Sequence, residues 1–229
     1  MANNAYLINS ELMSGCIETL IEKAEPYDVV ATGSNQIPAA WFFCFEAADL
    51  QPAEYNYTSD EDEPGVFKFM APCTTKERAL ANIIASKHLF VEFCGHEAIA
   101  EEYWAKAVSD LQDLKYPYLS MHPLEVFFLN DPDEDAITFN QCFTRTAESF
   151  SGIAELSFYD KNLVPYGLVE LYANPYLSDR YRCRNSSSLD MGIKGVDTSS
   201  WVPMPETPAT KETQAPMPLQ REKPWWKFW

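Results

Sequence analysis

Apolar residues recur every three or four positions in several parts of the first 115 residues, which is the spacing of an amphipathic helix. A proline that precedes an aromatic run, from Pro38 to Phe45, predicts a further helix that is mostly buried. The predicted helices are residues 14–25, the run from Pro38 to Phe45, a stretch that begins after Thr74, and residues 96–114.

Two of these helices carry further local signals. Glu77 stands three residues after Thr74, which is the spacing of a capping box at the start of a helix. Glu102 and Lys106 stand four residues apart with the acid first, which favours an ion pair along the helix 96–114. The residues predicted to form the buried side of the helix after Thr74 are Leu80, Ile83 and Ile84.

Short apolar runs bounded by turn residues predict strands. In the first 115 residues they cover 5–8, 27–31, 65–70 and 89–93. Further along the chain they cover 124–129, 136–142, 153–159 and 168–172. Because helices concentrate early and strands late, we expect an α+β domain in which early helices pack on a mostly antiparallel sheet.

Composition divides the chain near residue 196. The 229 residues include 34 acidic and 17 basic ones, for a formal net charge of −17, and the stretch after residue 196 is neutral. Residues 202–224 contain six prolines among Thr, Gln and Glu, which disfavours both helix and strand. The sequence predicts one acidic globular domain over 1–196, a disordered Pro-rich linker over 197–222, and an aromatic, basic peptide over 223–229.

The negative charge limits the classes of partner. An acidic surface repels nucleic-acid phosphates, so we expect no direct binding of nucleic acid. It can attract a basic protein, or it can serve only to keep the chain soluble. Two acidic clusters are the candidate partner-binding residues: Asp60, Glu61, Asp62 and Glu63 in one predicted loop, and Asp131, Asp133 and Asp135 at a predicted turn.

Two patterns resemble metal sites but lack essential ligands. The acids from Asp131 onward occupy the first, third and fifth positions of a calcium loop, yet Ala136 and Cys142 stand where that loop needs Gly and Glu. His96 begins the zinc-protease pattern H-E-x-x-H, but Ala100 replaces its second histidine. We therefore expect no metal site and no cofactor.

The sequence contains no recognisable catalytic motif, neither a G-x-S-x-G elbow nor a nucleotide-binding glycine loop. Cys16 lies near the start of a predicted helix, where the helix dipole would lower its pKa. The only residues that could act as its base are His88, His96 and His122. We expect a non-enzymatic protein, with an enzyme built on Cys16 or on a His–carboxylate pair as an alternative.

The aromatic end of the sequence carries its most specific signal. Three of the six tryptophans lie within the last five residues, beside two lysines. This combination favours weak attachment to a membrane surface, or docking in an apolar groove of a partner or of the chain's own domain. The residues of this predicted anchor are Lys223, Trp225, Trp226, Lys227, Phe228 and Trp229.

The spacing of the cysteines gives an indication of the cellular compartment in which the protein resides. All six are widely spaced, without a C-x-x-C pair, and no basic residue precedes Lys23, so no export signal is recognisable. We expect reduced thiols in a cytoplasmic protein, with Cys44 as a small core residue. Peripheral contact with the inner membrane through the aromatic residues is the alternative.

Two short segments resemble an uncharacterised group of bacterial proteins. The opening Met1-Ala-Asn-Asn-Ala-Tyr-Leu7 is similar to the start of that group, as is the pair Ile37-Pro38 before an aromatic run that is followed by Asp49-Leu50. Small acidic proteins of this kind are suspected immunity proteins, which neutralise a toxin. The resemblance implies a stoichiometric inhibitor of a basic toxin; a peripheral membrane adaptor and an unrecognised enzyme remain the alternatives.

Overall fold

Five strands form one antiparallel sheet in the computed structural model, which describes residues 3–58, 64–174 and 176–193. The strands are β1 (Asn4–Ser10), β2 (Tyr27–Ser34), β3 (Leu50–Thr58), β4 (Pro64–Thr75) and β5 (Tyr118–His122). Their order across the sheet is β2-β1-β5-β4-β3, and every neighbouring pair is antiparallel.

Ten helices accompany the sheet within the same described ranges, so the chain has the predicted α+β fold. The helices are α1 (Ile17–Glu22), α2 (Ala39–Phe42), α3 (Lys76–Ala85), α4 (Lys87–Cys94), α5 (Glu97–Gln112), α6 (Leu124–Phe127), α7 (Pro132–Gln141), α8 (Ala147–Ser157), α9 (Leu168–Ala173) and α10 (Arg180–Leu189). The predicted helices correspond to α1, α2, α3 and α5, although α1 and α2 are shorter than expected.

Strand β4 joins the two halves of the sheet. Its residues from Pro64 to Pro72 pair with β3, and its last three residues pair with β5. Phe67, Phe69 and Ala71 are buried on one side of β4, because successive side chains of a strand point to opposite faces. This alternation turns one face of the β3–β4 hairpin towards the core.

Three strand predictions are confirmed, and two strands are absent from the predictions. The predicted strands 5–8, 27–31 and 65–70 lie within β1, β2 and β4. Strand β3 contains Pro52, which cannot donate a ladder hydrogen bond and is tolerated because β3 is an edge strand. Strand β5 has only five residues, which is too short for its alternation to stand out.

The other five strand predictions are wrong. The runs 89–93, 124–129, 136–142, 153–159 and 168–172 fall largely in α4, α6, α7, α8 and α9. In α4 the buried residues Phe90, Phe93 and Cys94 are spaced three and four apart, so a helix buries them on one side. A run of a few apolar residues does not by itself separate this arrangement from a strand.

The capping box is also wrong by one residue. Thr75, rather than Thr74, caps α3, and its Oγ1 accepts a hydrogen bond from the backbone N–H of Arg78 at 3.1 Å. Thr74 belongs to β4 and is buried. The buried residues of α3 are Ala79, Asn82 and Ile83, and Ile84 is half exposed, contrary to the predicted stripe.

Helix α2 lies at the centre of the core. Trp41 is fully buried, and its indole Nε1 donates a hydrogen bond to the carbonyl oxygen of Met191, 2.9 Å away. Phe42 packs edge-on against Phe139 of α7 with ring centroids 5.7 Å apart. The expectation that the aromatic run from Pro38 to Phe45 is buried is therefore confirmed.

Candidate functional site

An exposed surface around the start of α7 combines apolar and acidic side chains. Leu129 is 40% exposed and Ile137 is 59% exposed. Asp133 lies four residues before Ile137 and Glu134 lies three before it, so both acids share the outer side of α7 with Ile137. We use the name α7 face for the exposed side chains of Asp131, Asp133, Glu134 and Ile137, together with Leu129 just before the helix.

Asp131 starts the helix that presents this surface. Its carboxylate Oδ1 accepts hydrogen bonds from the backbone N–H groups of Asp133 at 3.0 Å and Glu134 at 3.3 Å. Pro132 follows at the first helical position, where its fixed φ suits a helix and its missing N–H costs nothing. The acids of the first turn also interact favourably with the positive end of the helix dipole.

Asp135 does not belong to the exposed surface. Its side chain is buried, and its Oδ2 accepts a hydrogen bond from Asn130 Nδ2 at 3.4 Å. Burial raises the pKa of Asp135 above its ordinary value. Because a helix turns about 100° per residue, Asp135 lies roughly 200° around α7 from Asp133. The prediction that Asp135 contacts a partner together with Asp131 and Asp133 is therefore wrong.

The β3–β4 hairpin lies against the same region. The ring of Phe128, next to Leu129, packs on Phe67 and Tyr55 of the hairpin, with centroids 5.5 and 6.5 Å apart. Phe67 is three residues from Pro64, the first residue of β4, which corresponds to about 10 Å along a strand. The predicted acidic loop connects β3 to β4 beyond that point; its residues Asp60, Glu61, Asp62 and Glu63 lie outside the described residues.

Negative charge on the α7 face is not neutralised locally. The sequence has no Lys or Arg between Lys115 and Arg145. In the part of the chain that the structure describes, no ion pair involves Asp131, Asp133 or Glu134, although eight ion pairs form elsewhere. The face therefore offers unpaired carboxylates around apolar side chains.

The predicted anchor cannot be placed. Its residues Lys223, Trp225, Trp226, Lys227, Phe228 and Trp229 lie outside the described ranges, as does the predicted linker 197–222. The membrane, partner and self-docking alternatives for this segment therefore stay predictions.

Cys16 does not have the environment of an activated thiol. It precedes α1, and its Sγ donates a hydrogen bond to Glu18 Oε2 at 2.8 Å. Burial, and then the bond to Glu18, raise the pKa of Cys16 above its ordinary value, because both disfavour the thiolate. The expected lowering of this pKa by the helix dipole is therefore wrong. All six cysteines are free thiols, and Cys44 is buried as expected.

Of the three histidines that could act as its base, His122 lies in the interior of the sheet. His122 is buried on β5 between the rings of Tyr6 and Phe69, with centroids 6.5 and 6.3 Å from its own. Burial lowers the pKa of His122, against the opposing charge of Glu18. Within residues 3–58, 64–174 and 176–193, no group of three or more His, Cys, Asp or Glu side chains is arranged to hold a metal ion.

The sequence analysis did not predict a groove that lies between α4 and α8. It has a volume of about 720 Å³, and its apolar wall contains Phe93, Phe150 and Tyr159. Phe93 packs against both other rings, with centroids 5.8 Å from Phe150 and 4.9 Å from Tyr159. We call this cavity the α4–α8 groove. Recognising α4 and α8 as helices would have placed Leu89 and Phe93, four residues apart, on one side of α4.

A buried ionic cluster is the other feature that the sequence analysis missed. Lys106 Nζ lies 2.5 Å from Asp110 Oδ2 and 3.0 Å from Asp190 Oδ1. The predicted pair of Glu102 with Lys106 is wrong, because Glu102 Oε2 instead accepts a hydrogen bond from the backbone N–H of Leu168 at 2.9 Å. The spacing of Lys106 and Asp110 could have indicated their pairing; nothing local indicates Asp190.

Comparisons with known proteins assign no family. No protein-family model, no curated protein and no solved structure matches the chain. None of the helices in the described ranges has the length and apolar character needed to cross a bilayer.

Proposed function

We propose that this chain is a non-enzymatic binding protein whose α7 face holds a basic partner protein. The observation that carries the proposal is the combination of exposed Leu129 and Ile137 with the carboxylates of Asp131, Asp133 and Glu134, in a stretch without Lys or Arg. Protein interfaces combine an apolar centre with a polar rim. A surface that carries only negative charges attracts a partner whose surface is positively charged.

The two kinds of side chain would act at different stages of binding. The unpaired carboxylates would steer a basic partner into encounter, so they control the association rate and its dependence on salt. Leu129 and Ile137 would then lose contact with water against the partner, so they control the dissociation rate. The acidic cluster Asp60 to Glu63, which follows β3 in the sequence and lies outside the described residues, would add to the steering.

A toxin is the partner class that we favour. A stoichiometric inhibitor needs only a complementary surface, and the resemblance to suspected immunity proteins points the same way. A cytoplasmic site of action belongs to the proposal and is supported by six cysteines that are all free thiols.

The test begins with the immobilised full chain and lysate of the native host, at low and at moderate salt. One variant carries Asp133→Asn with Glu134→Gln, and a second carries Ile137→Ser. Binding of a basic protein in a 1:1 ratio by the wild-type chain identifies the probe, which is then purified for kinetic measurements on all variants. We expect the charge variant to associate about tenfold more slowly at low salt. We expect the Ile137→Ser complex to dissociate about tenfold faster.

Matched controls separate this surface from general effects of charge or exposure. Glu77→Gln with Glu97→Gln removes two first-turn acids from α3 and α5, and Ile84→Ser truncates a half-exposed isoleucine on α3. These variants should bind like the wild-type chain. Equal kinetics for the α7 and control variants would show that the partner binds elsewhere. Failure to retain any basic protein would remove the proposal.

A further inference from the structure

The α4–α8 groove has the size and lining of a site for several aromatic side chains. Its volume is about 720 Å³, and it is open to solvent. Phe150 is partly exposed in the lining, Phe93 and Tyr159 are each 5% exposed, and Leu89 and Ala154 add aliphatic surface. Aromatic rings pack on one another edge-on or tilted at centroid distances of 4.5–7 Å, so this wall suits further rings.

Four charged side chains border the groove: Glu92, Arg145, Asp160 and Lys161. Their charges sum to zero, and Arg145 already pairs with Glu46, so the two carboxylates of Glu92 and Asp160 are the groups that can attract a basic segment. Among the described residues, Glu92 forms no ion pair and can receive a lysine. Lys161 can lie over the face of an indole ring, an arrangement that attracts a cation to the ring's electrons.

The chain itself contains a segment with the matching chemistry. Residues 223–229 read Lys-Pro-Trp-Trp-Lys-Phe-Trp, with four aromatic side chains and two lysines. The tryptophans of the described part are packed, and each donates its indole N–H to a backbone carbonyl: Trp41 to Met191 and Trp104 to Ile83. An apolar groove with polar groups on its border offers the segment the same kind of environment.

The connection is long enough to reach the groove. Asn185 of α10 donates a hydrogen bond to the carbonyl oxygen of Asp160 at the groove's border, 2.7 Å away. Ile193 follows Asn185 by eight residues, so it lies no more than about 30 Å from that border. The 29 residues of 194–222 span up to about 100 Å when extended. Because the two parts belong to one chain, docking is intramolecular and needs only modest intrinsic affinity.

We infer that the α4–α8 groove is the docking site of the chain's own aromatic segment 223–229. The rings of the segment pack on Phe93, Phe150 and Tyr159, and Lys227 or Lys223 pairs with Glu92. The inference does not rest on the proposed function, because the groove and the α7 face are different surfaces.

The test places a photocrosslinking residue in the full chain by the substitution Trp226→p-benzoylphenylalanine. After irradiation, mass spectrometry identifies the peptides joined to position 226. We expect crosslinks within one molecule to peptides from α4 and α8. Ala154→Phe fills part of the groove and should lower their yield at least fivefold, whereas Ala105→Phe, at an exposed position of α5, should leave the yield unchanged.

Glu92→Arg gives a second variant, at an exposed position that does not affect folding through the core. It should also lower the yield, because it replaces the carboxylate that receives a lysine. Circular dichroism checks that each variant is folded. Crosslinks to other segments, crosslinks only between two copies, adducts only with lipid when anionic phosphatidylglycerol vesicles are added, or equal yields in Ala154→Phe and Ala105→Phe would each overturn the inference.

Discussion

Lys106 is a charged residue that the fold places inside the protein. Its side chain is 9% exposed, and those of Asp110 and Asp190 are 5% and 11% exposed. Burial lowers the pKa of Lys106, but the carboxylates of Asp190 and Asp110 outweigh burial and raise this pKa above its usual range. Tyr172 donates a hydrogen bond to Asp190 Oδ2 at 2.5 Å, so the cluster ties α5 to the end of α10 and to α9.

We expect Lys106→Met to lower the free energy of unfolding by about 3–5 kcal/mol, because it leaves two buried carboxylates without a cation. Urea denaturation of both proteins at pH 7 measures the difference. Lys115→Met, at an exposed position just after α5, serves as the control and should change the free energy by less than about 0.5 kcal/mol. Equal stability of Lys106→Met and the wild-type chain would contradict a buried, ionised cluster.

Helices are stabilised by capping side chains at their N-termini. The sequence locates a capping residue only to within about one position. Asp131 and Asp179 cap α7 and α10, each accepting hydrogen bonds from two backbone N–H groups. Thr75 caps α3 with one such bond. Two adjacent threonines precede α3, so only the geometry of the junction between β4 and α3 shows which of them is the cap.

That assignment predicts unequal effects of two otherwise similar substitutions. Thr75→Val should lower the free energy of unfolding by about 1 kcal/mol, because the N–H of Arg78 loses its partner. Thr74→Val keeps the shape of a buried β-branched residue in a strand and should cost less. Thermal denaturation of the two variants compares them directly. A larger loss from Thr74→Val would mean that α3 begins one residue earlier.

The length of a helix or strand and the regularity of its apolar positions decide whether it could be predicted from the sequence. Helix α5 runs for 16 residues with a repeated apolar side, and its bounds lie close to the predicted 96–114. The apolar runs 136–142 and 153–159 are too short to distinguish period two from period 3.6, so their helical state was missed. Two acids of the α7 face, Asp131 and Asp133, were named from sequence, but only the helix showed that Asp135 is buried and that Glu134 is exposed beside them.

Over the whole molecule, negative charge exceeds positive charge twofold, with 34 acidic and 17 basic residues. Like charges repel across a compact protein, which opposes folding. Several of the ion pairs are on the surface, such as Lys68 with Glu54 and Lys87 with Glu101, and exposed pairs contribute little. Net repulsion should therefore outweigh local attraction.

We expect the Tm to rise by about 2–4 °C between 10 and 200 mM NaCl, which corresponds to about 1 kcal/mol for a chain of this length. Differential scanning calorimetry at constant pH measures the shift. Potassium fluoride at the same ionic strength serves as the control, because charge screening does not depend on which monovalent salt supplies it. A fall in Tm would mean that the surface ion pairs dominate.

The sequence by itself determined the features that depend on local chemistry: the net charge, the composition change near residue 196, the amphipathic helix α5 and the buried aromatic run around Trp41. The tertiary structure decided how distant segments meet. In the structure several short apolar runs are helices, and Asp190 lies beside Lys106. Phe128 packs against the hairpin, and the α4–α8 groove lies between two helices. The physical reason is that local spacing constrains a segment's own backbone and amphipathicity, whereas burial and pairing depend on neighbours that are remote in the sequence.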